Sequence, residues 1–239
     1  MAGHSKWANI KHRKERADSK KGKAFSRASK EIISAVKQGG PDPKSNPRLR
    51  IAIQKAREVN VPNDNIERVI KKASGADQAD YFEMTYELYG FGGVGIILEI
   101  MTDNKNRISS EIRIATNKRG GTVAMPGAVA FNFDRKGILQ IKSSQGLEDT
   151  VFHAALEAGA EDFEAEGDTY IVTTAPSELY AVKDALAALG IPCTDASLEM
   201  IPKVYVECNP ENTKSNLDLI EWLENIDDVD TVSHNMNIP

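Results

Sequence analysis

Residues Gly137–Met200 read GILQIKSSQGLEDTVFHAALEAGAEDFEAEGDTYIVTTAPSELYAVKDALAALGIPCTDASLEM, and this stretch decides the fold class. It opens on a strand (137–141), a helix (147–158) and a strand (162–164). The same order returns as a strand (170–173), a helix (176–189) and a strand (193–200). Strands alternating with helices of this length form βαβ units. Two such units in tandem, βαββαβ, make one ferredoxin-like unit.

Working outward, the downstream sequence leaves this unit at Pro202 and predicts a strand Val204–Glu207, a helix Asn212–Asn225 and a strand Val229–Ser233. Upstream, Tyr81–Tyr89 and Val94–Met101 read as a hairpin. A helix Asn106–Lys118 follows, ending at Gly120-Gly121 before a short strand near Val123. The two outer pieces add up to a second ferredoxin-like domain, interrupted near Met125–Phe133 and resumed near Ile201–Lys203. The expected division is therefore a discontinuous α+β domain, 80–128 plus 204–239, with an inserted domain at 129–203. Three consecutive domains would leave the last piece without a sheet large enough to bury it.

Before Ser74-Gly75 the pattern is helical. Phe25, Ala28, Ile32, Ala35 and Val36 recur at helical spacing, and Gly39-Gly40-Pro41 ends that helix. Asn46-Pro47 reads as an N-cap with Pro at the first helical position, and Leu49, Ile53, Ala56 and Val59 continue the apolar stripe. Ile66, Val69, Ile70 and Ala73 mark a third helix with Gly75 as its C-cap. These predict a three-helix domain over 23–75. Residues 1–22 hold only Trp7 and Ile10 as large apolar groups, too few to bury, and are expected to form a basic mobile arm. The fold class is α+β: a three-helix domain followed by two ferredoxin-like domains, one inserted into the other.

The formal net charge of −5 conceals an asymmetry. Met1–Ala73 carries 19 Lys or Arg against 7 Asp or Glu, a net of +12, and the remainder carries 11 against 28, a net of −17. Concentrated cations indicate a polyanionic partner for the first part, although a solvated helical face has the same composition. The acidic remainder is expected to face away from nucleic acid or to contact basic protein surfaces.

Several function classes fall away. The best apolar stretch, Val94–Ile100, already contains Glu99, so no membrane segment or membrane partner is expected. The basic N-terminus lacks the apolar core of a secretory signal, and two cysteines outside any CxxC pair suit a reducing compartment; the expected location is the cytoplasm. Gly90-Phe91-Gly92-Gly93-Val94-Gly95 matches a dinucleotide fingerprint literally, but Ile96, Ile97 and Ile100 after it make a strand where the fingerprint needs a helix. The glycines read better as a hairpin turn. His4, His12, His153 and His234 lack metal-ligand spacing, and nothing assembles a nucleophile, base and oxyanion site. The expectation is a non-enzyme with no cofactor, no metal and no small-molecule substrate; the sequence leaves the oligomeric state open, with a slight lean to a monomer.

Binding is expected first in the arm, where Lys6, Trp7, Lys11, His12, Arg13, Lys14 and Lys20 mix cations with one ring, and Lys21, Lys23, Arg27 and Lys30 continue the cations. Such cations neutralise phosphates and release counterions. Trp7 can stack on an unpaired base or anchor the arm on the helical bundle. Arg48, Arg50 and Lys55 extend the set. In Thr102-Asp103-Asn104-Lys105-Asn106-Arg107, Asp103 or Asn104 caps the following helix, and Lys105 and Arg107 are the candidate contacts.

The opening Ala2-Gly3-His4-Ser5-Lys6-Trp7-Ala8-Asn9-Ile10-Lys11-His12, the stretch Asn46-Pro47-Arg48-Leu49-Arg50 with Val61-Pro62-Asn63-Asp64-Asn65-Ile66, and Thr102–Arg107 together resemble the YebC family over essentially the whole chain. Phe91 stands where the family's hairpin loop usually has Pro, and Ala128 where its Pro-Gly loop usually has Ser. The resemblance implies a helical domain followed by two α+β domains, and a regulator of gene expression without catalysis. Family members carry two labels: transcriptional regulator binding DNA, and translational activator working at the ribosome, mitochondrial relatives included. The residues lean to RNA, ribosomal RNA or tRNA included, because no recognition helix stands out and an arm with Trp suits irregular RNA. The alternative is a protein-binding adaptor working through the acidic domains.

Overall fold

The computed structural model of the chain describes residues 10–11, 21–75 and 80–238. The helical domain consists of α1 (Lys21–Gly39), α2 (Pro47–Glu58) and α3 (Asn63–Ala73). Its core is the predicted stripe: Ala28, Ile32, Ala35 and Val36 of α1 pack on Leu49, Ala52 and Ala56 of α2 and on Ile66 and Ala73 of α3. Phe25 and Val59, at the ends of the stripe, stay partly exposed. Asn46 is buried and ties two helices together. Its Oδ1 accepts from Leu49 N at 3.0 Å, and its Nδ2 donates to Ala35 O and Gly40 O, both at 2.8 Å. Ser74, not Gly75, closes α3, its N–H donating to Ile70 O.

Among the described residues the strands form two four-stranded antiparallel sheets, ordered β3-β1-β2-β8 and β5-β6-β4-β7. The second contains β4 (Phe133–Lys142), β5 (Asp162–Glu166), β6 (Thr169–Thr174) and β7 (Asp195–Pro202). Helices α5 (Glu148–Glu157) and α6 (Leu179–Ala188) cover one face, where Leu139, Ile141, Val172, Val151, Val182 and Leu186 are fully buried. This is the ferredoxin-like order, each βαβ half split by a strand of the other.

The first sheet contains β1 (Phe82–Tyr89), β2 (Gly95–Thr102), β3 (Thr122–Val123) and β8 (Val229–His234). Its covering helices are α4 (Lys105–Arg119) and α7 (Pro210–Asn225). Ile96, Leu98 and Ile100 of β2 meet Ile108 and Ile112 of α4 and Leu219 and Leu223 of α7. The route to this sheet differs from the predicted one. Val204–Glu207 forms no strand; Val206 makes one isolated parallel bridge, to Met236. The place between β2 and β3 that this segment would take is filled by β1, whose eight residues pair with β2 from Phe82↔Thr102 to Tyr89↔Gly95. A hairpin partner pays little loop-closure entropy, so it outcompetes a segment some eighty positions away.

The Gly90–Gly95 loop is that hairpin turn. Gly90 N donates to Val94 O at 2.7 Å, and Gly92 and Gly93 hold φ of 67° and 83°, which side chains resist. The Phe91 ring rests on Gly120, where a Cβ would come within 2.3 Å of it.

Candidate nucleic-acid interface

The expected cations divide into two groups, and the structure adds a third. Lys6, Trp7, His12, Arg13, Lys14 and Lys20 lie outside the described residues, as does the expected arm apart from Ile10, Lys11, Lys21 and Gly22. Lys11 is exposed, and Lys21 belongs to α1. The expectation that Ile10 has too little apolar company to be buried is corrected. It is 5% exposed, against Ile138 of β4, Ile171 of β6 and Ile201 of β7. The missing company comes from a distant sheet, which local composition cannot reveal.

The second group holds the protein together. Lys30 is buried, and its ammonium donates to Asp228 Oδ1 (3.0 Å), Met101 O (3.1 Å) and Asp227 O (3.0 Å). Three donors are all an ammonium has, so Lys30 has none left for a phosphate. Arg107 donates to the other oxygen of Asp228 through Nε at 3.1 Å and Nη2 at 2.5 Å, and Nη2 also reaches Asp103 at 2.7 Å. Thr102 Oγ1 adds a third donor to Asp228 at 2.9 Å. Burial pushes the Asp228 carboxyl up, but hydrogen bonds from Arg107, Lys30 and Thr102 outweigh it and hold the group below the usual range. The Thr102–Arg107 stretch is thus a joint between α1 and the first sheet. Asn104, rather than Asp103, caps α4, accepting from Asn106 N at 3.1 Å and Arg107 N at 3.0 Å.

Beside this joint, Arg27 pairs with Glu31 at 3.3 Å and Asp230 at 3.9 Å, and Lys55 reaches Glu31 at 3.1 Å. Burial drives the Asp230 carboxyl up to about 6; Arg27 and Lys30 pull it down, while Glu31 and Glu99 push it up. Lys23 donates to the carbonyl of Glu224. Arg48 pairs with Glu83 and Gln38, Arg50 donates to the carbonyls of Pro43 and Lys44, and Lys105 lies 4.2 Å from the centre of the Phe82 ring.

The third group was not singled out by the sequence. Arg68, Lys71 and Lys72 share the outer side of α3, three and four positions apart. All are exposed, and none has an ion-pair partner among the described residues. With Lys11 and Arg50, which are also exposed, they are among the outward-facing cations of the basic region. The only sequence signal for them is the charge count, which runs through Ala73.

Burial pushes the Cys193 thiol up to about 11 and raises Cys208 as well, so both are protonated and poor nucleophiles near neutral pH. Among the described residues no cluster of three His, Cys, Asp or Glu could hold a metal ion, and no helix is long and apolar enough to cross a membrane.

Comparison with known proteins places this geometry. The chain is 70% identical over 239 residues to a probable transcriptional regulatory protein of Protochlamydia amoebophila, covering 100% of this chain and 98% of that one. It is 59% identical over 237 residues to a protein of the same description from Chlamydia muridarum, covering 99% and 100%. The crystal structure of a conserved hypothetical protein from Aquifex aeolicus, Aq1575, superposes with a TM-score of 0.82 at 39% identity, over 93% of this chain and 92% of that one. The TACO1/YebC protein N-terminal domain matches residues 5–76, and the TACO1/YebC second and third domain matches residues 81–236. The chain therefore belongs to the TACO1/YebC family.

Proposed function

We propose that this protein is a non-enzymatic nucleic-acid-binding regulator of gene expression, and that it meets its partner through the basic N-terminal region. The observation that carries the reading is the exposed cationic side of α3, Arg68, Lys71 and Lys72, without an ion-pair partner among the described residues, on a region whose sequence has a net charge of +12. Exposed cations without acidic partners gain most from phosphate, because no internal ion pair is broken. The relatives named probable transcriptional regulatory proteins support the regulatory role. Between targets, the reading favours RNA over duplex DNA, since Trp7 and flanking cations suit unpaired bases. The working division is a helical domain at 23–75, a discontinuous domain at 80–128 plus 204–239, and an inserted domain at 129–203. The cytoplasm is the proposed location. Of the cations expected from sequence, Lys6, Lys11, Arg13, Lys14 and Arg50 are retained as proposed contacts, whereas Lys30 and Arg107 are assigned to the joint at Asp228.

The test is a salt series with single-stranded RNA and duplex DNA on the full chain. Replacing Arg68, Lys71 and Lys72 by Ala should lower the slope of log affinity against log salt by about 2 for single-stranded RNA. Lys11, Arg13 and Lys14 to Ala should act similarly. Trp7→Ala should weaken RNA binding with little change of slope, because stacking releases no counterions. If both triple variants keep the wild-type slope, the basic region is not the phosphate contact and the reading fails.

One observation favours the adaptor reading. In the groove between α4 and α7, Glu111, Asp218, Glu221 and Asp227 outnumber one cation, Arg119, which lies 5.2 Å from the centre of the Trp222 ring, a setting that suits a basic amphipathic segment.

A further inference from the structure

Six acidic side chains, of which Glu199 is buried, share the face of the second sheet that α5 and α6 leave uncovered. Strand alternation fixes which residues point there, since side chains that pair across β4, β5, β6 and β7 lie on one side. Ile138 pairs with Thr173 and Ser197, Gln140 with Ile171 and Asp195, and Asp134 with Ile201. On β5, Asp162 pairs with Thr173, Glu164 with Ile171 and Glu166 with Thr169. The face away from α5 and α6 therefore carries Asp134, Asp162, Glu164, Glu166, Asp195 and Glu199 against Lys136 and Lys142. At its apolar centre lie Ile138 and Ile171, both fully buried, and the side chain that packs on them is Ile10.

Ile10 is set in the most basic part of the sequence, with Lys6, Lys11, Arg13 and Lys14 within four positions of it. An acidic surface and a chain of phosphates offer a lysine the same chemistry, a carboxylate or phosphate oxygen with negative charge. The cations around Ile10 cannot satisfy both at once.

We propose that the acidic open face of the second sheet is an internal binding surface for the chain's own basic segment around Ile10, and that it competes with nucleic acid for that segment. Ile10 supplies an apolar pin and register; the carboxylates supply the charge. The competition rests on the nucleic-acid-binding reading above. If the segment is held about nine-tenths of the time, apparent affinity for nucleic acid is lowered about tenfold.

Two variants of the full chain test this without touching a proposed phosphate contact. Ile10→Ser removes the pin at constant charge. The triple variant Glu164→Gln, Glu166→Gln, Asp195→Asn removes charge from the face. A control, Asp149→Asn, Glu157→Gln, Asp184→Asn, removes equal charge from α5 and α6 on the covered side. Limited trypsin cleavage after Lys11, without RNA, reads the contact; titration with a single-stranded RNA oligonucleotide reads the competition. Both variants should be cut about tenfold faster than wild type and bind RNA about tenfold more tightly, with the control unchanged in both. In wild type, raising salt should speed cleavage, because it screens the charges that hold the segment. Cleavage no faster in either variant overturns the contact. Faster cleavage with unchanged RNA affinity overturns the competition. If wild type and variants all fail to bind RNA, the proposed function falls and the competition with it, while the trypsin rates still decide the contact.

Discussion

On the first sheet the face opposite α4 and α7 meets a folded three-helix domain; on the second, the face opposite α5 and α6 meets, among the described residues, the buried side chain of Ile10. Both sheets have four antiparallel strands, although their strand orders differ, and carboxylates lie on both faces. What differs is how basic residues answer them. On the first sheet Lys30 and Arg107 converge on Asp228 inside the protein, and Arg27 lies against Asp230. These cations are spent on architecture. A count of Lys and Arg cannot separate a cation that holds two domains together from one that waits for a phosphate.

The strongest way to break this comparison is Asp228→Ala. Removing the carboxylate leaves Lys30 buried with carbonyl partners only, which should cost about 3–5 kcal/mol. Urea unfolding should show a reduced midpoint, with the helical domain loosened from the first sheet. The pH dependence has a definite sign. The folded Asp228 carboxyl sits below its usual value, so its contribution is present above the unfolded range and is lost as pH falls through the folded value. The variant should lack that acid-side loss. A cost under about 1 kcal/mol would show that the joint is not structural.

Asp230, two residues on, should behave in the opposite way. Its folded value of about 6 lies above the ordinary 3.8 because burial outweighs the pull of Arg27 and Lys30, with Glu31 and Glu99 adding repulsion. Raised in the folded state, the carboxyl destabilises once ionised. Wild-type stability should therefore lose this contribution as pH rises between about 4 and 6. Asp230→Asn should stabilise the protein at pH 8 by up to about 3 kcal/mol, less whatever pairing with Arg27 is given up. The gain should vanish near pH 4. Thermal melts of both proteins across pH 4–8 decide it, and a variant less stable at pH 8 would mean that the ion pair outweighs burial.

Elements whose signals are local were legible from the sequence. Apolar spacing in α1 to α3, the Asn46 cap and the Gly-rich hairpin all act within a few residues. The βαββαβ string of the second sheet was legible for the same reason. The partner of β3 was not, because β1 and Val204–Glu207 both read as strands, and the length of β1 and its low closure cost count only once they compete for β2. Burial of Ile10 and Lys30 was hidden too, since each is answered from a distant segment: Ile171 in one case, Asp228 in the other. Of the candidate site, the region was visible and the individual cations were not. Arg68, Lys71 and Lys72 emerge only when the pairing of the others is known.

The smallest expected effect sharpens the comparison most finely. Arg48 of α2 and Glu83 of β1 join the same two bodies as Lys30 and Asp228, but in the open, with side chains 46% and 57% exposed against 10% and 5%. Water and salt compete for both charges of an exposed pair, and holding two long side chains in place costs rotamer entropy. A double-mutant cycle of Arg48→Ala and Glu83→Ala should therefore return a coupling below about 1 kcal/mol that shrinks further in about 1 M salt. The matching cycle of Lys30→Met and Asp228→Asn should return a larger coupling that salt barely changes, because both groups are largely buried. Equal couplings in the two cycles would mean that burial does not separate structural cations from available ones. If the couplings differ as expected, Arg48 is free to exchange Glu83 for a phosphate at little cost to the fold, whereas Lys30 is not.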